Sequence, residues 1–414
     1  FGVFIVPQEV KDLDGEIRKV ANILGVSESL LKRNYKRNYQ APFAPCEVIR
    51  NISKEKAIMV EELKIDFPGV MVKDISVRRY VYGEAFAHLV GYVGEISKDE
   101  LESLKSYGYN IKDFIGKDGI ERVSDSYLRG RNGGMQIQVD NRGRQAKILN
   151  SRKPKPGKDI YLTVDAGLQK ILFKMMQGRA GAACFMDPNT GEILALVSTP
   201  SFDPNGSLAN VLRERGSPLM NRAIMGQYPP GSLFKIVIAM SGLETGKIRP
   251  DTSFTCHGKL RIGTAEFNCW HRDGHGPMDL RHAIQESCNV YFYNTALLLG
   301  ADTIHQYALE FGFGRKTGID LFGEKEGFLP SPAWKTRERG EIWYAGDTAN
   351  FSIGQGYLSA TPLQVCRMIA CVANEGELAE PVVLKKIGGI VSGENKKINL
   401  KLKKENIEAV RRGM

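Results

Sequence analysis

A serine and a lysine stand three residues apart in the segment Tyr228-Pro-Pro-Gly-Ser-Leu-Phe-Lys235, directly before an apolar run over 236–240. The two prolines and the glycine predict a turn, which puts Ser232 at a helix N-cap position and Lys235 on the same helical face. A neighbouring amine can accept the proton of a serine hydroxyl, and a helix N-terminus adds positive potential. The segment is therefore a candidate site for nucleophilic catalysis by Ser232.

The spacing Ser-x-x-Lys is not specific by itself, because it also occurs at Ser29/Lys32 and at Ser53/Lys56. The alternative at each place is an ordinary capped helix with a surface lysine. Since motifs of four residues recur by chance, the pattern alone does not choose between the two interpretations.

A second candidate is Ser287-Cys288-Asn289, the only Ser-x-Asn in the chain, which lies inside an apolar stretch of helical spacing over 280–299. Residues two apart do not share a helical face. Both polar side chains can reach one cleft only from a helix end or from a loop between helices. A polar pair in a capping loop is the alternative.

The composition is that of a folded protein of more than one domain, with 414 residues, 42% hydrophobic and 25% charged. The net charge of +10 favours an anionic environment or, equally, a solvated basic surface. No window of eighteen apolar residues occurs, and the chain starts at Phe1, so we interpret it as a piece of a longer protein. Seven cysteines, an odd number, cannot all pair within the chain.

The elements that position these residues fall into two parts, joined by a Lys-, Pro- and Gly-rich linker over 151–158. Residues 1–155 carry no candidate nucleophile, so we interpret them as a scaffold or interaction domain. In this part the pattern predicts strands over 1–6, 46–49, 70–72, 75–81 and 135–139, and helices over 10–24 and 27–33.

Residues 156–414 begin with a predicted strand over 160–164 and a helix over 165–177 that Asp165 caps. Strands over 181–186 and 192–198 flank the turn Asp187-Pro-Asn-Thr-Gly191, which predicts an antiparallel hairpin. The helix after Ser232 would pack behind this sheet. The predicted fold class is therefore α+β.

With these motifs, the sequence resembles the transpeptidase domain of class B penicillin-binding proteins, closest to the penicillin-binding protein 2 group of the cell-elongation machinery. The resemblance extends over nearly the whole chain. It is carried by Asp187-Pro-Asn-Thr-Gly-Glu192, Pro200-Ser-Phe-Asp-Pro-Asn205, Asn221-Arg-Ala223, Tyr228-Pro-Pro-Gly-Ser-Leu-Phe-Lys235, Ile353-Gly-Gln-Gly-Tyr357 and Thr361-Pro-Leu-Gln364.

The resemblance implies a β-rich pedestal over 1–155 and, over 156–414, a transpeptidase fold of an antiparallel sheet with helices on both sides. It implies that Ser232 attacks a terminal D-Ala-D-Ala of a peptidoglycan stem peptide, with Lys235 as general base. Ser287 would relay protons to the leaving amine, Asn289 would bind the substrate amide and help hold Lys235, and the Ser232 amide would form half of an oxyanion hole. β-Lactams would acylate the same serine.

Two other functions share this site. A D,D-carboxypeptidase or β-lactamase would resolve the acyl-enzyme with water, and a non-catalytic protein would use the fold to sense β-lactams or to activate a polymerase. The product formed from a peptide donor distinguishes them.

Lys316-Thr317-Gly318 spells the third motif of the family, but the surrounding sequence resembles the family's turn after the Ser-x-Asn helix. We therefore interpret Lys316 as structural. The functional motif and the last strands of the sheet are expected beyond Met414.

The resemblance also implies that Cys256, Cys269, His275 and Cys288 are zinc ligands, because some members of the group carry zinc at the corresponding place. No tight Cys-x-x-Cys occurs, but three thiolates and an imidazole suit a tetrahedral structural zinc. His271 is the alternative imidazole, and a Cys256–Cys269 disulfide is the alternative chemistry.

The implied partners are stem peptides, β-lactam antibiotics, a membrane glycan polymerase of the SEDS family and cell-wall elongation scaffold proteins. No nucleic acid and no organic cofactor are expected. The implied location is the outer, periplasmic face of the cytoplasmic membrane, with a single-pass anchor upstream of Phe1.

Overall fold

The computed structural model describes residues 1–414 except 68, 140–144, 207 and 392–395. The helices, in chain order, are α1 (Leu13–Leu24), α2 (Glu28–Asn38), α3 (Lys54–Glu62), α4 (Ala87–Val90), α5 (Lys98–Leu104), α6 (Gly119–Val123), α7 (Asp125–Leu128), α8 (Ala166–Met176), α9 (Leu208–Val211), α10 (Arg222–Met225), α11 (Lys235–Glu244), α12 (Leu280–Gln285), α13 (Asn289–Leu299), α14 (Ala301–Glu310), α15 (Pro332–Arg339), α16 (Ala345–Ser352), α17 (Pro362–Ala373) and α18 (Lys404–Arg411).

The strands are β1 (Gly2–Ile5), β2 (Cys46–Ile49), β3 (Val70–Lys73), β4 (Val93–Glu95), β5 (Phe114–Gly116), β6 (Gly134–Val139), β7 (Gln145–Arg152), β8 (Ile160–Leu162), β9 (Gly181–Met186), β10 (Ile193–Thr199), β11 (Phe254–Cys256), β12 (Lys259–Ile262), β13 (Ala265–Asn268), β14 (Gly276–Met278), β15 (Glu377–Ala379), β16 (Leu384–Ile387), β17 (Ile390–Val391) and β18 (Lys397–Asn399).

The contacts within the chain divide it into two compact units, and the first comprises residues 1–79 and 132–154. Its antiparallel sheet has the order β2-β1-β3, and β6 pairs with β7. Helices α1, α2 and α3 begin at the side-chain caps Asp12, Ser27 and Ser53. The buried faces of the sheet and helices form one apolar core that includes Val3 and Ile17.

One strand predicted within residues 1–155 is wrong. Residues 75–81 form no regular element, and the side chains of Val77 and Val81 are exposed. The alternation of apolar residues there therefore does not reflect a buried sheet face.

The second unit comprises 80–131 and 155–414. Residues 80–131 belong to it because their contacts lie there: the Gln169 amide donates to Ala85 O at 2.8 Å, and Leu89 packs in a core with Ile193 and Leu196. The domain boundary predicted at residue 155 rests on sequence character and not on contacts, so it stays a prediction beside this division.

The predicted hairpin is present in this unit as β9 and β10, which pair antiparallel around the turn at Asp187. Asp165 caps α8, as predicted, and α8 packs on β10. Helix α17 packs on β9, and a large apolar core surrounds α11 and α13. The α+β fold class is thus confirmed.

Among the residues that the structure describes, no helix is both long enough and apolar enough to cross a lipid bilayer.

Candidate active site

Ser232 lies in a 3₁₀ turn over Gly231–Phe234, and α11 starts only at Lys235. The prediction that Ser232 is a helix N-cap is therefore wrong: Phe234 holds the cap position of α11, and the serine side chain makes no capping hydrogen bond. The prolines and Gly231, whose φ is +60°, begin the 3₁₀ turn before the serine. The Ser232 side chain remains exposed and is directed to another hydroxyl.

The side chains of Ser232, Lys235 and Ser287 form a continuous hydrogen-bond chain. Lys235 Nζ donates to Ser287 Oγ at 2.9 Å, and Ser287 Oγ donates to Ser232 Oγ at 2.9 Å. The hydroxyl of Ser287 thus lies between the amine and the candidate nucleophile. When the Lys235 amine is neutral and both hydroxyls rotate to donate in the opposite direction, a proton leaving Ser232 has a path to Lys235 through Ser287.

Lys235 Nζ also donates to Ser287 O at 2.8 Å and to Asn289 Oδ1 at 2.7 Å. With the bond to Ser287 Oγ, these use the three protons of an ammonium group. The structure therefore brings all four predicted side chains, Ser232, Lys235, Ser287 and Asn289, into one network. Only 2% of the Lys235 surface is exposed.

Burial lowers the pKa of Lys235 to about 8, because desolvation disfavours the ammonium form and outweighs the opposing coulombic effect of Cys269 and Cys288, which raises the pKa. A primary amine with that pKa is partly neutral near pH 7 and can accept a proton. The electrostatics of the site therefore suit Lys235 as a general base.

Ser287 and Asn289 reach the same lysine because Ser287 lies in the short connection between α12 and α13. Ser287 has a left-handed backbone with φ of +50°, and Asn289 is the first residue of α13. The expectation that the motif needs a junction between helices is met. Cys288, between the two, is fully buried.

Gly354 is a residue that motif reasoning did not assign to the site. Its carbonyl accepts a hydrogen bond of 3.0 Å from Gly231 N, directly before the serine. A Cβ on Gly354 would lie 2.2 Å from Gly231 O, and the φ of Gly354 is +69°. Only glycine allows this approach. The run Gly354-Gln-Gly356 was its only signal in the sequence.

The candidate metal ligands Cys256, Cys269, His275 and Cys288 also meet in space. Their ligand atoms all lie within 4.8 Å of one another, and the three thiols are buried. Cys256 ends β11, Cys269 directly follows β13, His275 directly precedes β14, and Cys288 lies in the α12–α13 connection. Gly258 permits the tight fold, because a Cβ there would lie 1.9 Å from Arg272 O.

The donor chemistry of this cluster fits a zinc ion. Burial raises the pKa of Cys269, but backbone N–H groups, first that of His271, outweigh it and lower the pKa overall. Burial lowers the pKa of His275 and so favours the neutral, ligating imidazole. His275 Nε2 is buried and has no hydrogen-bond partner among the described residues. Three soft thiols and one imidazole are a common structural zinc set.

The sequence left two alternatives to this cluster, His271 as a ligand and a disulfide between Cys256 and Cys269. His271 does not belong to the group of four. All seven cysteines are free thiols, so the Cys256–Cys269 disulfide is not formed in this structure.

The other short motifs have structural contacts. Ser53 caps α3, and Ser29 Oγ bonds to Ser27 Oγ at 3.2 Å. Thr317 of Lys316-Thr317-Gly318 is 3% exposed and donates through its hydroxyl to Glu324 Oε1 at 2.5 Å. Thr317 therefore stabilises its own turn.

Comparison with known proteins gives two family matches. Residues 181–414 match the penicillin binding protein transpeptidase domain, and residues 1–162 match the penicillin-binding protein dimerisation domain. The chain is 37% identical over 392 residues to the peptidoglycan D,D-transpeptidase MrdA of Acinetobacter baumannii, covering 92% of this chain and 58% of that protein. The chain thus spans about three fifths of the length of this relative.

The solved structures that are similar to the chain include the following two. One is a complex between the penicillin-binding protein PBP2 and MreC from Helicobacter pylori, with a TM-score of 0.88, 28% identity and coverage of 100% of this chain and 79% of that chain. The other is PBP2 of Pseudomonas aeruginosa in complex with WCK 5153, with a TM-score of 0.72, 37% identity and coverage of 81% and 73%.

Proposed function

The chain belongs to the family of penicillin-binding protein transpeptidases, and we propose that it cross-links peptidoglycan stem peptides through an acyl-enzyme at Ser232. The observation that carries this proposal is the hydrogen-bond chain from Ser232 through Ser287 to Lys235. It joins a nucleophile to a buried amine whose pKa, about 8, allows it to act as a base.

In the acylation step, Ser232 Oγ attacks the carbonyl carbon of the penultimate D-Ala. Its proton passes through the Ser287 hydroxyl to Lys235. The amide C–N bond then breaks, the leaving amine takes a proton back through Ser287, and the terminal D-Ala departs. An ester between Ser232 and the peptide remains.

In the second step, the amine of a neighbouring stem peptide attacks the ester carbonyl and loses a proton to Lys235. Ser232 takes a proton as it leaves, so the enzyme is regenerated and a peptide cross-link forms. The Ser232 backbone amide is proposed as one oxyanion donor. Asn289 is proposed to bind the substrate amide while its oxygen holds Lys235.

We propose further that Cys256, Cys269, His275 and Cys288 hold one structural zinc ion. Their convergence and donor types support this. A bound zinc supplies a cross-link that ties the connection carrying Ser287 and Asn289 to the β11 and β13 segments. The reacting groups remain those of Ser232, Lys235 and Ser287.

Partners and location are also proposals. The complex of the similar Helicobacter pylori protein with MreC supports an elongation scaffold protein as a partner. Family membership supports three further proposals: a SEDS-family glycan polymerase as a partner, β-lactam antibiotics as ligands, and a place on the periplasmic face of the cytoplasmic membrane.

Labelling with a fluorescent penicillin, followed by mass spectrometry, tests the acyl-enzyme. Wild type should be labelled on Ser232, Ser232→Ala should not, and Ser29→Ala, which alters an exposed Ser-x-x-Lys of the same spacing, should label normally. Failure to label wild type would refute the proposal.

A donor pentapeptide with an acceptor D-amino acid tests the reaction type. Exchange of the terminal D-Ala supports transpeptidation. Release of D-Ala with water alone indicates a carboxypeptidase, and labelling without peptide turnover indicates a sensor.

A further inference from the structure

The Asn289 carboxamide is held at both ends. Its oxygen accepts from Lys235 Nζ at 2.7 Å, and its Nδ2 donates to the backbone carbonyl of Asn268 at 3.1 Å. Reversing the amide would put its NH2 group against a donor and its oxygen against a carbonyl oxygen. The Asn268 carbonyl therefore selects the orientation in which the Asn289 oxygen faces Lys235.

The same carbonyl has a second donor. Tyr293 Oη donates to Asn268 O at 3.2 Å, and its side chain is 3% exposed. Because Tyr293 follows Asn289 by four residues on α13, the two side chains lie on one helical face. The Tyr293 ring packs edge-on against Phe267 of β13, with centroids 5.8 Å apart.

Asn268 ends β13 and directly precedes Cys269. Two donors on α13 thus fix the last carbonyl of β13, one from Asn289 and one from Tyr293. Without the Tyr293 hydroxyl, the Asn289 amide would be the remaining side-chain donor to this carbonyl among the described residues. The end of the strand could then rotate, and the carboxamide would lose its fixed partner.

We propose that Tyr293 is a positioning residue for the acylation reaction. By fixing the Asn268 carbonyl, it keeps the Asn289 oxygen on Lys235 and so keeps the amine against Ser287 Oγ. This inference rests on the proposed function, because it assumes that Lys235 serves Ser232 in acylation. The Tyr293 hydroxyl bonds to the Asn268 carbonyl, whereas the Ser232 hydroxyl bonds to Ser287.

The test uses Tyr293→Phe, which removes one oxygen and leaves the ring in place. Tyr291→Phe is the matched control: Tyr291 lies on the same helix, is fully buried, and donates to Thr252 O at the same distance of 3.2 Å. Both variants lose one buried bond to a backbone carbonyl, so both should lose similar thermal stability. Only the bond of Tyr293 belongs to the lysine network.

The measured quantity is the second-order rate constant of acylation by a fluorescent penicillin. We expect roughly a three- to tenfold decrease for Tyr293→Phe, the effect of one neutral hydrogen bond, and less than about twofold for Tyr291→Phe. Equal rates in the two variants would overturn the proposal. If wild type itself is not acylated, the proposed function fails instead.

A double-mutant cycle then shows whether Tyr293 acts through Asn289. On an Asn289→Ala background, Tyr293→Phe should have almost no further effect on acylation, because no carboxamide remains to be oriented. If the two decreases multiply, Tyr293 acts by another route and the proposal is wrong.

Discussion

Replacing Gly354 with alanine should displace the 3₁₀ turn that carries Ser232, although the two residues are far apart in the sequence. An alanine Cβ would lie 2.2 Å from Gly231 O, whereas ordinary contacts begin at 3.4 Å, so the two segments must separate by about 1.2 Å. That shift breaks the bond from Gly231 N to Gly354 O, immediately before Ser232. A misplacement of about 1 Å costs on the order of 10²-fold in rate. We therefore expect penicillin acylation to slow about 100-fold.

The control for backbone strain is Gly340→Ala. Gly340 ends α15 with φ of +67°, close to the +69° of Gly354, but a Cβ there would meet nothing within 4 Å. Both variants should lose about 1–2 kcal/mol of unfolding free energy from the left-handed backbone. Only Gly354→Ala should lose acylation, measured per folded molecule. Equal acylation rates in the two variants would refute the reasoning.

Three other changes have defined outcomes. The acylation rate should rise roughly tenfold from pH 7 to a plateau above a midpoint near 8, because the neutral Lys235 amine is the active form; a flat profile would contradict this. A chelator should remove about one zinc per chain and lower the melting temperature by about 5 °C or more, which re-added zinc restores; protein that is metal-free as purified would exclude the site. Thr317→Val should lower the unfolding free energy by about 1.5–3 kcal/mol, because the hydroxyl of Thr317 donates to the carboxylate of Glu324. Acylation of the folded protein should not change, and slower acylation would make Thr317 part of the active site.

Local chemistry made much of the fold predictable. Asp165 caps α8 and the Asp187 turn joins β9 to β10 through contacts within three residues, which a sequence displays directly. The strand predicted over 75–81 is wrong because its residues form other contacts: Tyr80 N, for example, donates to Asn205 Oδ1 at 2.9 Å. Periodicity does not reveal such a distant partner.

The side chains of the site could be predicted, but the bonds among them could not. Ser232, Lys235, Ser287 and Asn289 stand in recognisable motifs, yet nothing in the sequence shows that the Ser287 hydroxyl lies between the other serine and the amine. The contribution of Asn268 is a backbone carbonyl, which every residue type carries. Such a group leaves no signal in the residue pattern.

The left-handed backbone of Ser287 is strained, yet the same residue carries the hydroxyl between Ser232 and Lys235. A residue with a side chain costs roughly 1–2 kcal/mol in that conformation, and glycine avoids this cost. Ser287→Gly would relax the connection while it deletes the hydroxyl between Ser232 and Lys235. The buried Lys235 amine would at the same time lose its hydrogen bond to Ser287 Oγ, a loss of similar size, so the hydrogen-bond network offsets the backbone strain at this connection.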